Sequence, residues 1–289
     1  MLIHLISTFL RIAVSGHQFC VVFGGKNNKD RKPQITERTE KNLRRTHMKK
    51  LKLSALALAI ATSSLLVGPA FADDLSANVS ATSNYIWRGL TQTTNEAAVQ
   101  GGIDYSHDSG FYVGTWASNV QYAADDVYSY EHDLYFGFSG EAEGFSYDVG
   151  YLYYNYDADA EFDFAEIFGS IGYQDFSATL YLLAHTEADE ADGQDFGFGK
   201  ASYISLDYAT EVLNGTELGL HIGHHQGDFA EAFNGLTESY NDWAVSIAKD
   251  GFTFAVTGTD MDSDEPAAGT AYTNDDIKFS VSYGIDFQL

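Results

Sequence analysis

Apolar and polar residues alternate along most of the chain that follows residue 72. In residues 75–88 the apolar face carries Leu75, Ala77, Val79, Ala81, Tyr85 and Trp87, and the opposite face carries Ser76, Asn78, Ser80, Thr82, Asn84 and Arg88. The chain end repeats the pattern with Phe279, Val281, Tyr283, Ile285, Phe287 and Leu289. A period of two is that of a β-strand with one apolar and one polar side. These segments predict the first and last strands of an all-β protein.

Ten further segments have the same character. They predict strands at 97–106, 111–120, 128–139, 145–156, 163–173, 176–185, 196–212, 217–226, 241–248 and 252–259. Short turns, such as the one at Asn214-Gly215, follow every second strand, and longer connections follow the others. This alternation of short and long connections is typical of an up-and-down antiparallel meander. The pattern therefore predicts about twelve strands.

Aromatic residues decide between a soluble sandwich and a membrane barrel. Residues 73–289 contain 19 Tyr, 16 Phe and 3 Trp but one proline. Aromatic pairs near strand ends fit the girdles of a transmembrane barrel; they are Tyr85/Trp87, Phe111/Tyr112, Phe145/Tyr147 and Phe252/Phe254. Only a closed barrel lets polar residues alternate within a membrane without unpaired backbone groups. We predict an all-β, transmembrane up-and-down antiparallel β-barrel of about 12 strands; a secreted sandwich is the alternative.

The N-terminal part has the plan of an export signal. Residues 48–72 contain lysines, an apolar run and small residues around Phe71, as in a secretory signal peptide, with cleavage expected between Ala72 and Asp73. Residues 1–47 are then expected to be an upstream extension from a start assigned too early, and a genuine extension is the alternative. We expect the barrel itself to span 73–289. Cys20 lies upstream, so the exported chain would lack cysteine and hence disulfides.

The exported part is strongly acidic. Residues 73–289 contain four Lys or Arg against 38 Asp or Glu. Such a charge repels polyanions, so the sequence argues against nucleic-acid binding.

The segment Asn84 to Gly102, NYIWRGLTQTTNEAAVQGG, is followed by SGFY at 109–112 and WASNV at 116–120. These residues resemble the opening of the TorF-type porins of proteobacteria. The resemblance implies a barrel in the outer membrane of a Gram-negative bacterium and leaves the solute undefined. One departure is the terminal Leu289, where many barrels end in Phe or Trp; it would weaken the assembly signal of the C-terminal strand.

Charged residues on the polar faces are the candidates for contact with a solute. The alternation of faces predicts that seven charged side chains point into the lumen: Arg88, Asp104, Glu131, Asp133, Asp148, Glu166 and Lys278. Further candidates are Glu217, Asp286 and Lys200. Arg88 and Lys278 are expected near the upper ends of the first and last strands, which barrel closure makes neighbours. They would form a small cationic spot that orients a solute, or Arg88 would pair with an inward acid.

Other chemistry finds little support. His221 and His225 share a strand face but stand roughly 13 Å apart at strand rise, too far to chelate one ion, so we expect solvated histidines. No G-x-S-x-G nucleophile motif occurs. The sequence therefore predicts no catalytic residues, no metal, no cofactor and no enzymatic activity.

The predicted function is a passive outer-membrane channel for small solutes, preferring cations or neutral species because its walls are acidic. The alternative is a non-conducting barrel that displays acidic loops for envelope integrity or adhesion. Inward Gly102, Gly150 and Gly284 favour an open lumen, whereas Leu152, Tyr154 and Tyr156 favour a filled one. Expected partners are outer-membrane lipid and lipopolysaccharide, small solutes, and the barrel-assembly machinery through the C-terminal strand.

Overall fold

The computed structural model describes residues 74–262 and 273–289, which form a closed barrel of twelve antiparallel strands. The barrel strands are β1 (Asp74–Thr82), β4 (Ala98–Ser106), β5 (Phe111–Asn119), β6 (Tyr130–Ala142), β7 (Phe145–Asn155), β8 (Phe164–Tyr173), β9 (Phe176–Thr186), β10 (Ser202–Leu213), β11 (Thr216–Gln226), β12 (Ser239–Lys249), β13 (Phe252–Thr259) and β14 (Lys278–Gln288). A separate two-stranded sheet contains β2 (Ile86–Trp87) and β3 (Leu90–Thr91). The predicted fold class and strand number are confirmed. The predicted extension, signal peptide and cleavage site lie outside the described residues.

The two ends of the barrel differ. Three turns at one end have two successive residues with positive φ, Glu143-Gly144, Asn214-Gly215 and Asp250-Gly251. This is the type I′ geometry that joins twisted antiparallel strands with two residues. β1 begins and β14 ends at this short-turn end, since Ser76 pairs with Gln288. The long connections all lie at the opposite, long-loop end.

The outer face of the barrel is apolar. Along β12 exposed and buried residues alternate without exception. The exposed outward residues include Val99, Ile103, Val113, Leu134, Phe136, Val149, Ile167, Leu180, Ile204, Leu220, Val245, Phe254, Val281 and Ile285. An apolar belt around a closed barrel is the signature of strands that face lipid. In the part of the chain that the structure describes, no helix is both long and apolar enough to cross a bilayer.

The belt predicts unequal losses of stability for two neighbouring substitutions in β14. Tyr283 is 44% exposed on the outer face, whereas the adjacent Ser282 points inward. We expect Tyr283→Arg to cost roughly 2–4 kcal/mol of folding free energy, because it places a charge against lipid. Ser282→Arg is the matched control, and its charge would enter the lumen at a smaller cost. Urea unfolding in lipid vesicles measures both, and equal losses would show that the faces are assigned wrongly.

The first strand is shorter than predicted. β1 ends at Thr82, which pairs with both Ser282 and Ala98. Tyr85 and Trp87 are 5% and 3% exposed, so their expected place in an outer aromatic girdle is wrong. The chain instead turns into the lumen after Thr82. The alternation continues beyond this point because the inward segment is itself a β-hairpin.

Candidate functional site

Residues 83–97, which we call the inner hairpin, fold back into the barrel. Every residue from Asn84 to Thr93 is buried. β2 and β3 are joined by Arg88 and Gly89, both with positive φ, so the hairpin has a two-residue turn of type I′. Gly89 also lies against the wall, because a Cβ there would come within 2.7 Å of both Asp242 and Thr259. The turn therefore needs glycine for its backbone angle and for its close approach.

Polar contacts within the inner hairpin fix its shape. The Thr91 hydroxyl donates to the Asn84 side-chain oxygen at 2.7 Å, and the Asn84 amide donates to Asn95 at 2.7 Å. The hairpin is tied to the next connection by backbone as well, since the amide of Gln121 donates to the carbonyl of Gln92 at 2.8 Å. Buried backbone groups need such partners in a segment that adds nothing to the barrel wall.

Arg88 stands at the tip of the inner hairpin and is 2% exposed. Its Nη2 donates to Oε2 of Glu166 on β8 at 2.6 Å. The guanidinium carbon lies 4.1 Å from the ring centre of Trp87, 4.3 Å from Tyr203 and 5.0 Å from Tyr181. A buried guanidinium held by a carboxylate and aromatic faces has the two kinds of partner that offset its desolvation. This ion pair holds the hairpin tip to the wall.

A group of carboxylates lies beside this ion pair. Glu131 accepts hydrogen bonds from Tyr85 at 2.7 Å and from Tyr156 at 3.0 Å. The Tyr154 hydroxyl donates to the same Glu166 oxygen that binds Arg88, at 3.2 Å. Asp133 is 2% exposed, and its Oδ1 has no hydrogen-bond partner among the described residues. The β6–β8 wall therefore carries more buried carboxyl groups than the single cation Arg88 can pair with.

His221 forms a second polar centre. Its Nδ1 lies 2.6 Å from Asp207 and its Nε2 lies 2.9 Å from Asp242. The Tyr203 hydroxyl is also 2.8 Å from Nε2. With both ring nitrogens facing carboxylates, the ring is arranged to carry two protons and bridge the acids. His221 and His225 are 5% and 2% exposed, so the expectation that they are solvated is wrong.

The short-turn half of the lumen carries tyrosine–carboxylate pairs. Tyr112 donates to Asp148 at 2.8 Å, and Tyr135 donates to Asp104. Gly150 does not widen the lumen as expected, because a Cβ there would meet the Phe168 ring at 2.6 Å. The glycine makes room for an aromatic ring. By contrast, Gly284 has ordinary contact distance to Ser80, the neighbour on β1.

Aromatic side chains cover the inner hairpin at the long-loop end. Helix α1 (Asp228–Asn234) places Phe229 and Phe233 over the barrel mouth. The Phe233 ring lies 4.6 Å from that of Trp87, and the Phe229 ring lies 5.1 Å from that of Phe164. Tyr154 and Tyr156, which the sequence suggested could fill the lumen, are buried in the same cluster. The long-loop half of the barrel is therefore packed.

The remaining charged candidates lie apart from this centre. Lys278 is buried but donates to the carbonyls of Asn274 and Asp276, both at 2.9 Å. Lys200 is exposed on a loop and pairs with Asp195 at 2.7 Å; its hydrogen bond lowers the pKa of the Asp195 carboxyl. Of the two expectations for Arg88, the structure shows the second, since Arg88 pairs with the inward acid Glu166. Among the described residues, Lys278 is not one of its partners. Asp286 is exposed near the end of β14.

The sequence pattern did not single out Tyr203 or Asp242, and it predicted His225 only as a solvated histidine. Alternation does put them on inward faces, but it cannot say which inward residues meet across the lumen. The sequence does contain a short signal for the hairpin, because the possible two-residue turn Arg88-Gly89 lies between the pairs Ile86-Trp87 and Leu90-Thr91. Within the described residues, no group of three or more His, Cys, Asp or Glu side chains could hold a metal ion.

Comparison with known proteins gives a family and several solved barrels. Residues 67–284 match the model of a family described as "Bacterial protein of unknown function (Gcw_chp)". No curated protein matches the chain. The chain is similar to the KdgM porin, with a TM-score of 0.44 and 8% identity over 74% of this chain and 99% of that one.

Two further structures are similar at lower TM-scores. OpdK, an outer membrane protein from Pseudomonas aeruginosa, has a TM-score of 0.32 and 13% identity over 74% of this chain and 61% of that one. OccAB3 from Acinetobacter baumannii has a TM-score of 0.34 and 12% identity over 72% of this chain and 60% of that one. All of these TM-scores lie below 0.5, so the function proposed below rests on the residues and contacts of this barrel.

Proposed function

We propose that this chain, which belongs to the Gcw_chp family of bacterial proteins of unknown function, is an outer-membrane channel for small solutes. It acts by passive diffusion, without catalysis, and prefers cations or neutral species. The resemblance of residues 84–102 to TorF-type porins supports the same proposal, and this segment contains most of the inner hairpin together with the start of β4.

One observation carries the proposal: the barrel is closed, apolar outside and polar inside. Its strands are mostly 9 to 13 residues long, which suits a tilted crossing of the hydrocarbon layer. All outward strand faces present apolar side chains, and closure leaves no strand edge to be satisfied by water. The long-loop end would then face the outside of the cell and the short-turn end the periplasm.

The charge of the lumen supports a preference for cations. Asp104, Asp148 and Glu217 point into the short-turn half, where partly exposed polar residues such as Ser76 and Asn78 also lie. Small polar side chains in this half favour a water-filled path. An acidic wall raises the local concentration of cations and repels anions within a Debye length, about 10 Å at 0.1 M salt.

The packed long-loop half favours a second candidate. The inner hairpin and the aromatic residues of α1 occupy the barrel mouth, as expected of a barrel that does not conduct and displays acidic loops to the surroundings. The two candidates differ in one measurable property, the conductance of the refolded barrel.

The channel proposal predicts cation preference in planar bilayers. Reversal potentials measured across a KCl gradient should show K⁺ preference that weakens as salt rises, because salt screens the wall charges. We expect Asp104→Asn with Asp148→Asn to reduce this preference clearly, since both acids line the lumen. Asp189→Asn with Asp192→Asn, on an exposed loop, is the matched control and should change it little.

Anion preference would contradict the assigned role of the lumen acids. If the barrel does not conduct although its heat-modifiable gel mobility shows that it is folded, the non-conducting alternative is favoured.

A further inference from the structure

The partners of Arg88 form a pocket that belongs almost wholly to the barrel wall. We call it the arginine pocket and define it as Glu166 of β8, Tyr181 of β9, Tyr203 of β10 and His225 of β11. These residues come from four successive strands whose ladders do not depend on the inner hairpin. The pocket would therefore persist if the hairpin tip moved away.

We propose that the arginine pocket is a binding site for small guanidinium-bearing solutes. Arg88, which is tethered to the same chain, occupies the pocket when no solute is bound and competes with the solute for it. This inference rests on the proposed channel function and names the class of solute that the same lumen selects. A solute that took the place of Arg88 would release the hairpin tip and widen the path.

The chemistry of the pocket suits a guanidinium in particular. Glu166 offers a carboxylate oxygen at 2.6 Å, and the Tyr203 ring lies 4.3 Å from the guanidinium carbon. A planar, weakly hydrated cation can bind a carboxylate through its edge and stack on aromatic rings through its face at the same time. A compact ammonium is more strongly hydrated and lacks the flat face, so it would lose part of these contacts. The pocket is thus selective among cations by shape as well as by charge.

A second observation points to a ligand with a further donor. Asp133 pairs in the ladder with Tyr154, and the Tyr154 hydroxyl donates to Glu166. The Oδ1 atom of Asp133 is buried and accepts no hydrogen bond from the described residues. Since an unmet buried carboxylate oxygen is costly, a ligand that places an amine or amide N–H there would gain a contact that Arg88 does not make. The favoured class is therefore a guanidinium joined by a short linker to a second donor.

Arg88 has the advantage of its tether. A group attached to the same chain acts at an effective concentration in the millimolar range or above, so a solute must exceed it by concentration or by extra contacts. The contact with Asp133 supplies such an advantage to a two-headed solute. Simple guanidinium ions should consequently bind the wild-type barrel poorly and bind well once Arg88 is removed.

The experiment uses the refolded mature chain in detergent, with methylguanidine and agmatine as probes in calorimetric titrations. We expect Arg88→Ala to bind both probes, agmatine more tightly, and wild type to bind methylguanidine at least about tenfold more weakly than the variant. Adding Glu166→Gln to Arg88→Ala should weaken binding about tenfold, the effect of losing a charged hydrogen-bond partner. Lys200→Ala removes an exposed base and is the matched control, expected to behave like wild type.

Equal binding of methylguanidine to wild type and Arg88→Ala, or none to either, would overturn the proposal. If Arg88→Ala alone does not fold, refolding with millimolar methylguanidine should restore its heat-modifiable form, and lack of rescue would overturn the proposal as well. Bilayer recordings separate this test from the channel function. If a variant conducts K⁺ but binds no probe, only the proposed class of solute is rejected. If a folded variant never conducts, the proposed channel function is rejected.

Discussion

Removing the inner hairpin is expected to raise the single-channel conductance several-fold. Thr82 and Ala98 are paired neighbours in β1 and β4, so an Asn-Gly turn can replace residues 83–97 without altering the wall. The deletion would clear the long-loop half of the lumen, where Tyr85, Trp87 and Arg88 are now buried. The deletion should be combined with Glu166→Gln, because it removes Arg88, the ion-pair partner of the buried Glu166. Planar-bilayer recordings of the two barrels at equal salt measure the difference.

The deletion variant that keeps Glu166 is the control for the altered charge. If the hairpin alone obstructs the path, its conductance should rise to about the same level as that of the deletion combined with Glu166→Gln. An unchanged conductance after deletion, in a barrel that folds normally, would mean that another part of the lumen limits the flow. The candidates are then the aromatic side chains of α1, Phe229 and Phe233.

Replacing Arg88 by methionine is expected to lower the free energy of unfolding by about 3–5 kcal/mol. Both members of its ion pair are almost fully buried, with 3% and 5% of their side-chain surfaces exposed. Removing one member leaves the other as an unpaired buried charge, which costs far more than the pair contributes. Urea unfolding in lipid vesicles measures the loss.

Two variants test this interpretation. Arg88→Met combined with Glu166→Gln should recover most of the loss, because it also removes the stranded charge. Lys200→Met breaks the exposed pair with Asp195 and should cost much less, because solvent screens this pair. If the Arg88 and Lys200 variants lose the same stability, the buried pair does not hold the hairpin as we describe.

Much of the wall could be predicted because it is encoded locally. In each strand the period of two shows which side chains share a face. Short turns are recognised by residues that favour positive φ, such as Asn214 and Gly215. Predicted and observed strands agree to within a few residues for most of the barrel. The largest differences are at the first strand, which ends at Thr82 rather than Arg88, and at β10, which begins at Ser202 rather than residue 196.

The candidate site could be predicted only in part from the sequence. Alternation placed Glu131, Asp133, Asp148 and Glu166 on the inward side, and the structure finds all four buried. It could not pair them, since side chains that meet across a lumen come from strands far apart in sequence. Glu131 illustrates this, because Tyr85, whose hydroxyl donates to it, lies 46 positions away in sequence.

The sequence by itself determined the strand period, the number of wall strands, the outward apolar face and the acidic character of the lumen. These properties follow from neighbouring residues and from the two-residue repeat of the β-strand. Only the tertiary structure decided that residues 83–97 leave the wall and that Arg88 meets Glu166, 78 positions away. A hairpin in the lumen and a strand in the wall share the same period, so the pattern cannot separate them. What separates them is the set of long-range contacts that satisfies a buried guanidinium, and these exist only once the barrel has closed.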